Sequence, residues 1–265
     1  MKAIILAAGK GSRLDGKAVK PKCLLEIGGS TLLKRQIEAL RRADIKRIVI
    51  VVGFGADSIR DECGSEITFV ENIHFAETSS LYSLWLAREH LVDGFVVLNS
   101  DVLFHSELLA KLLKSSRDDA LLISDSNKET NPMGDEEMKV KVREELVVDI
   151  SKDLDPNEAD GENVGIVKFG PQGAKALVRY MDSLISRGAV KDWAPRAFLE
   201  FARNHPLHAL STDGLPWIEI DFPEDYERAV TEIYPRIASQ GIEDRRNSLA
   251  QGTKDSKAGN QEFRD

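Results

Sequence analysis

The residues of this chain that could carry chemistry fall into two basic groups near the start and two aspartates far downstream. Gly9-Lys10-Gly11-Ser12-Arg13 combines glycines, cations and a hydroxyl, and Lys20-Pro21-Lys22 follows with more cations on a stiff proline turn. Glycine lets the backbone approach a ligand closely, and exposed backbone N–H groups form an anion-binding concavity. Together these segments read as a phosphate cradle. Asp101 closes Leu98-Asn99-Ser100-Asp101, and Asp221 closes Trp217-Ile218-Glu219-Ile220-Asp221. Either aspartate alone could simply cap the helix that follows it. The pair also fits a Mg²⁺ site, because that ion favours one or two carboxylates together with phosphate oxygens.

These groups need elements to position them. The cradle leaves Lys2–Ala8, an apolar run that predicts a buried strand. Ile48–Val52 and Phe95–Leu98 have the same character, with Ile67–Val70 and Ala120–Ser124 as further strands. Between them, apolar spacing predicts helices over Thr31–Ala43 (with Ser30 as N-cap), Ala56–Glu62, Ser80–Leu91 and Glu107–Lys114. That alternation predicts an α/β fold: a doubly wound, Rossmann-like, mainly parallel sheet with helices on both faces. Ligands in such sheets sit beyond the carboxyl ends of the strands. The cradle and Asp101 both fall at that edge.

The pattern then changes. Met138, Val140 and Val142 alternate with Lys139, Lys141 and Arg143, which predicts a strand with one wet face. Val147–Ile150 and Val164–Phe169 read as its partners in a small antiparallel excursion over about residues 125–170, entered through the polar loop 127–137. Helices are predicted over Gly173–Ser186 and Arg196–Arg203, and Pro223 opens a final one. One domain is therefore expected over residues 1–237. The polar, aperiodic segment 238–265 is expected to be a disordered tail.

Composition narrows the function. The 265 residues carry a net charge of −8, which argues against a nucleic-acid partner. No apolar stretch approaches the roughly 18–20 residues of a membrane span. The two cysteines, Cys23 and Cys63, have no metal-ligand spacing, and a reduced, cytoplasmic chain is expected. The glycine loop lacks the Walker pattern, in which Lys and Ser/Thr follow the second glycine. It also lacks the third glycine of the dinucleotide fingerprint.

Leu6-Ala7-Ala8-Gly9-Lys10-Gly11-Ser12-Arg13 followed by Lys20-Pro21-Lys22 resembles the signature of the nucleotidyltransferases that activate sugar phosphates and phospho-alcohols. The resemblance implies a GT-A-like nucleotidyltransferase fold and a loop, Leu6 to Ser12, that binds a nucleoside triphosphate. It implies that Arg13 and Lys22 grip the phosphates, and that Asp101 and Asp221 hold the metal. The family's usual Gly-Asp is Ser100-Asp101 here, a change between small residues. Tyr82-Ser83-Leu84, opened by Ser79 and Ser80, and Val52-Gly53-Phe54 are similar to segments of the phosphocholine and inositol-phosphate branch. They imply CTP as the nucleotide and a small phosphorylated alcohol as the acceptor. A sugar-1-phosphate enzyme using UTP, dTTP or GTP stays open, as does a nucleotide-binding module without turnover.

The acceptor pocket is less marked. In the family a lysine on the second part of the sheet can contact the acceptor phosphate, which makes Lys152 a candidate. Glu162 and Asp192 could hold an ammonium or polyol hydroxyls. Trp193 and Trp217 could form an aromatic cage, or belong to the core. The oligomeric state is not readable from these residues, and a homodimer stays open.

Overall fold

The computed structural model describes residues 1–11, 20–64, 66–124 and 133–239. Ser12, Arg13, most of the predicted 127–137 loop and the tail from residue 240 lie outside them. The strands are β1 (Lys2–Ala7), β2 (Glu26–Ile27), β3 (Ser30–Thr31), β4 (Ile48–Val52), β5 (Thr68–Glu71), β6 (Phe95–Asn99), β7 (Val102–Phe104), β8 (Ala120–Ile123), β9 (Lys139–Arg143), β10 (Leu146–Ser151), β11 (Gly161–Phe169), β12 (His208–Ser211) and β13 (Trp217–Glu219). The helices are α1 (Leu32–Arg42), α2 (Ala56–Cys63), α3 (Ser80–Leu86), α4 (Ser106–Lys114), α5 (Pro171–Ser186), α6 (Pro195–Ala202) and α7 (Pro223–Arg228).

The main sheet runs β5-β4-β1-β6-β11-β8-β12-β10-β9. β5, β4, β1 and β6 are parallel, as the alternation predicts. β11 then enters antiparallel to both β6 and β8, β12 is parallel to β8, and β10 is antiparallel to β9 and β12. The sheet is thus mixed, and the expectation of a mainly parallel sheet is corrected. The reason is that the antiparallel segment is not an appendage: β11 lies between β6 and β8 inside the main sheet and brings β9 and β10 with it. A parallel pair needs a long crossover, whereas β9 and β10 are joined by a two-residue turn and must be antiparallel. Glu144 and Glu145 make that turn, both with positive φ. β9 then pairs back onto β11, matching Glu162 with Lys139.

Alternation along β1 divides the core. Ile4 and Leu6 join the apolar layer on one face, and Ala3, Ile5 and Ala7 join the other. All five residues of β4 are buried, so it is covered on both sides. A smaller cluster of Ile27, Leu32, Leu103, Ile218, Ile220, Ala229 and Ile233 fastens the β2–β3 hairpin, the β7–β13 ribbon and the final helix together. Past α7 the chain makes one π turn and stays helical through residue 239, beyond the predicted end of the domain at 237.

Local details depart from expectation where tertiary pairing intervenes. α1 begins at Leu32, so Thr31 rather than Ser30 caps it, its hydroxyl accepting from the Lys34 N–H at 3.2 Å. The helix predicted over Ser80–Leu91 ends at Leu86 and tightens into a 3₁₀ turn, with the Arg88 guanidinium donating to the Trp85 carbonyl. Among the described residues, no helix is long and apolar enough to cross a membrane.

Gly28 has φ of +57°, and a Cβ there would strike the Tyr234 ring of the final helix. Gly28→Ala therefore combines a left-handed backbone with a steric clash. It is expected to cost about 1–3 kcal/mol, read as a lower urea midpoint at unchanged m-value.

Candidate active site

β1 ends at Ala7 and delivers Ala8, Gly9, Lys10 and Gly11 to the edge of the sheet. With Leu6 they floor a cavity of about 370 Å³. The Phe54 N–H holds this exit by donating to the Ala8 carbonyl at 3.1 Å. Gly11 has φ of +60°, and its missing side chain makes room for the stem of Lys22. Lys22 begins the short turn Lys22–Leu24 directly after Pro21, and its ammonium donates to the Asp221 carboxylate. The glycine loop and the lysine after proline are thus in direct contact.

Asp101 and Asp221 meet through backbone pairing. β7 and β13 run antiparallel with Val102 opposite Glu219, and the Ile220 N–H donates to the Asp101 carbonyl at 3.0 Å. The Ser100 N–H donates to the Leu6 carbonyl at 3.3 Å, which ties the Asp101 turn to the cradle strand. The Asp225 carboxylate accepts from the N–H groups of Asp221 and Phe222, at 3.0 and 2.9 Å. Both predicted metal aspartates therefore line the cavity with Lys22.

The electrostatics follow from that crowding. Loss of solvent pushes the Asp101 carboxyl above its ordinary range; Lys22 pulls it back and Asp221 pushes it up further. Glu219 is raised well above its ordinary value by burial, then by Asp101, Asp221 and Glu162, with Lys22 opposing. This wall is rich in carboxylates, and their crowding out of solvent favours the protonated forms against the pull of Lys22. Among the described residues, no three His, Cys or acidic groups form a ready-made metal cage. The two aspartates would leave an ion's remaining positions to a ligand.

The opposite wall is built on α3. The Asn72 amide donates to Thr78 Oγ1 and Ser83 Oγ, both at 3.0 Å, and its oxygen accepts from the His74 N–H. Ser79 and Ser80 line the cavity, but they also staple α3 to residues 190–194. The Ser79 N–H donates to the Val190 carbonyl, Ser80 Oγ accepts from the Ala194 N–H, and the Leu81 N–H donates to the Asp192 carbonyl. Gly53 acts from behind: a Cβ there would lie 2.7 Å from Phe75 Cβ, and Phe75 forms the wall. Ala7 faces the core rather than the cavity.

At the mouth, Lys152 pairs with Glu136 at 3.0 Å and lies 4.9 Å from the centre of the Trp193 ring. Trp193 is 49% exposed, so it is a cavity wall and not core. The other acceptor candidates lie elsewhere. Glu162 and Trp217 line an adjoining depression of about 350 Å³ that shares Glu136, Glu219 and Asp221 with the main cavity. Trp217 also packs on the core, because its place opposite Phe104 in the ribbon turns it inward. Asp192 lines neither space and contributes its carbonyl to α3.

Sequence reasoning missed Asn72, Asn99, Asn163 and Glu136, all of which line the main cavity. Asn72 follows β5 and Asn99 ends β6, so the strand-end rule applied to Asp101 would have found both. Asn163 lies within β11, where the register with β8 shifts between Asn163 and Val167, and Gly165, a glycine inside a strand with φ of +78°, is the local signal of that irregularity.

Residues 3–152 match the family model of the MobA-like NTP transferase domain, and the chain belongs to that family. A CTP:phosphoglutamine cytidylyltransferase of Campylobacter jejuni is 24% identical over 251 residues, covering 86% of this chain and 98% of that protein. A choline-phosphate cytidylyltransferase of Streptococcus pneumoniae is 34% identical over 120 residues, 44% of this chain and 52% of that one. The solved inositol-1-phosphate CTP transferase from T. maritima shares the fold, with a TM-score of 0.72 and 23% identity over 89% of this chain and 95% of its own.

Burial, then Glu137, Asp221 and Asp225, raise Glu162 from 4.5 to about 8, with Lys139 opposing. The folded state therefore holds a proton that the unfolded chain releases. Stability falls as pH rises between about 4.5 and 8. Glu162→Gln cannot ionise and is expected to flatten that decline. Thermal midpoints of the ligand-free proteins across this range check it, and equal slopes for parent and variant would refute it.

Proposed function

We propose that this protein transfers a cytidylyl group from CTP to a small phosphorylated alcohol and releases pyrophosphate. The carrying observation is the convergence of Lys22, Asp101 and Asp221 on a cavity floored by the glycine loop. Membership of the NTP transferase family and the cytidylyltransferase relatives support the reading.

An oxygen of the acceptor phosphate attacks the α-phosphorus of CTP. The bond from that phosphorus to the bridging oxygen breaks, and its electron pair leaves with pyrophosphate. No covalent enzyme intermediate is needed. Charge builds on the phosphoryl oxygens and the leaving group, so fixed cations and N–H dipoles lower the barrier. Lys22 and the amides of Gly9, Lys10 and Gly11 supply them here, with Arg13 in the same role by family resemblance. Asp101 and Asp221 are the residues that would hold Mg²⁺, and their mutual repulsion in a desolvated wall fits a divalent cation. Bound there, Mg²⁺ supplies charge neutralisation between triphosphate and acceptor.

Ser79, Ser80 and Phe75 border the space for the base. Lys152 takes the acceptor phosphate at the mouth, beside Trp193. Glu162 and Trp217, in the adjoining depression, face the body of the acceptor.

The test is pyrophosphate release from CTP, UTP, dTTP, GTP and ATP. Acceptors are phosphocholine, phosphoethanolamine, 2-aminoethylphosphonate, inositol phosphate, glycerol phosphate and sugar 1-phosphates. Release from CTP with a phospho-alcohol or phosphonate is expected. Preference for UTP or dTTP with a sugar 1-phosphate would replace this reading, and CTP binding with no release would mark a non-catalytic module. With the productive pair, Lys22→Ala is expected to lower turnover about 10²–10³-fold while the protein still melts cooperatively. Near-parental turnover would remove Lys22 from the chemistry.

A further inference from the structure

Gln36 lies on the inner face of α1 among Leu33, Ile37 and Leu40, and is 2% exposed. Leucine or methionine would fill that position without burying polar atoms. The Gln36 amide nitrogen makes two hydrogen bonds, to the carbonyls of Asn99 and Val102, each 2.9 Å. Both partners are acceptors, so only the NH₂ end can face them. The remaining atom, Oε1, is buried with no hydrogen-bond partner. A buried acceptor left unpaired costs stability, so what this side chain contributes here is its donor end.

The two carbonyls bracket Ser100 and Asp101, the turn between β6 and β7. One planar amide bonding both fixes the width of that turn. Ser100 is tied on one side to Leu6, and the Asp101 carbonyl on another to Ile220. The Gln36 clamp restrains the side facing α1. We propose that Gln36 is a positioning residue that holds the Asp101 carboxylate in place against Asp221 and Lys22. This rests on the function proposed above. Misplacing a reacting or ligating group by about 1 Å can cost a hundredfold in rate, and loss of an outer hydrogen bond to a metal ligand commonly weakens metal binding 10–100-fold.

The experiment compares Gln36→Met, which keeps length and volume but removes the donor, with Gln36→Glu. A buried glutamic acid keeps its proton and can donate to one carbonyl. Turnover, thermal midpoint and Mn²⁺ affinity of the protein–CTP complex, followed by electron paramagnetic resonance, are measured for both. For Gln36→Met, turnover and Mn²⁺ affinity are each expected to fall about tenfold or more. Its midpoint is expected to fall by several degrees, since the Asn99 and Val102 carbonyls lose their shared donor, while it still melts cooperatively. Gln36→Glu is expected to recover part of both losses. It carries the test alone if the methionine variant does not fold, as a partial loss of both quantities at a parental midpoint. Parental turnover and Mn²⁺ affinity in a folded variant would overturn the proposal. So would turnover lost only in step with the folded fraction. If the parent releases no pyrophosphate with any pair, the proposed function fails, while the Mn²⁺ titration still decides the role of Gln36.

Discussion

The antiparallel pairing of β7 with β13 is the constraint on which the site depends. It sets Val102 opposite Glu219 and passes a hydrogen bond from Ile220 to the Asp101 carbonyl. Two aspartates far apart in sequence thereby reach one cavity. The ribbon is short, and neither strand joins the main sheet. Its support comes from the cluster of Ile27, Leu32, Leu103, Ile218, Ile220 and the final helix. Apolar burial there is what holds the carboxylates together, because their own interaction is repulsive. The Asp225 carboxylate adds direction by binding the N–H groups of Asp221 and Phe222.

That repulsion shapes the chemistry. Asp101 and Glu219 are both shifted upward by lost solvent and by each other's neighbours, and Lys22 opposes the shift in both. A lysine paired this way is pre-positioned, because its stem lies across Gly11 and its head is fixed on Asp221. The ion pair also links the phosphate side of the cavity to the metal-candidate side.

The parts of this arrangement legible in the sequence were those set by local pattern. The β-branched run Ile48–Val52 fixes a strand covered on both faces, and an aspartate following an apolar run lies at a strand end wherever that strand pairs. The cradle was legible because glycine, cation and proline act through their own backbone. Pairing between distant segments was not. Val164–Phe169 reads as part of an antiparallel excursion, but nothing near it announces that it enters the main sheet between β6 and β8. Trp217 reads as cage or core, and its register opposite Phe104 packs it on the core while it still lines the adjoining depression. Asp192 has the right charge in the right loop, yet it is its carbonyl that is used.

The same limit applies to Gln36, whose spacing on α1 is that of an ordinary core position. Only the pair of carbonyls across from it distinguishes a clamp from a misfit. A comparable link exists on the opposite wall, where Ser80 accepts from Ala194 and Leu81 donates to Asp192. These bonds connect the first turn of α3 to the loop carrying Trp193, and Trp193 in turn lies against Lys152. The first turn of α3 and Lys152 are therefore linked through the 190–194 loop, by hydrogen bonds on one side and a cation–π contact on the other.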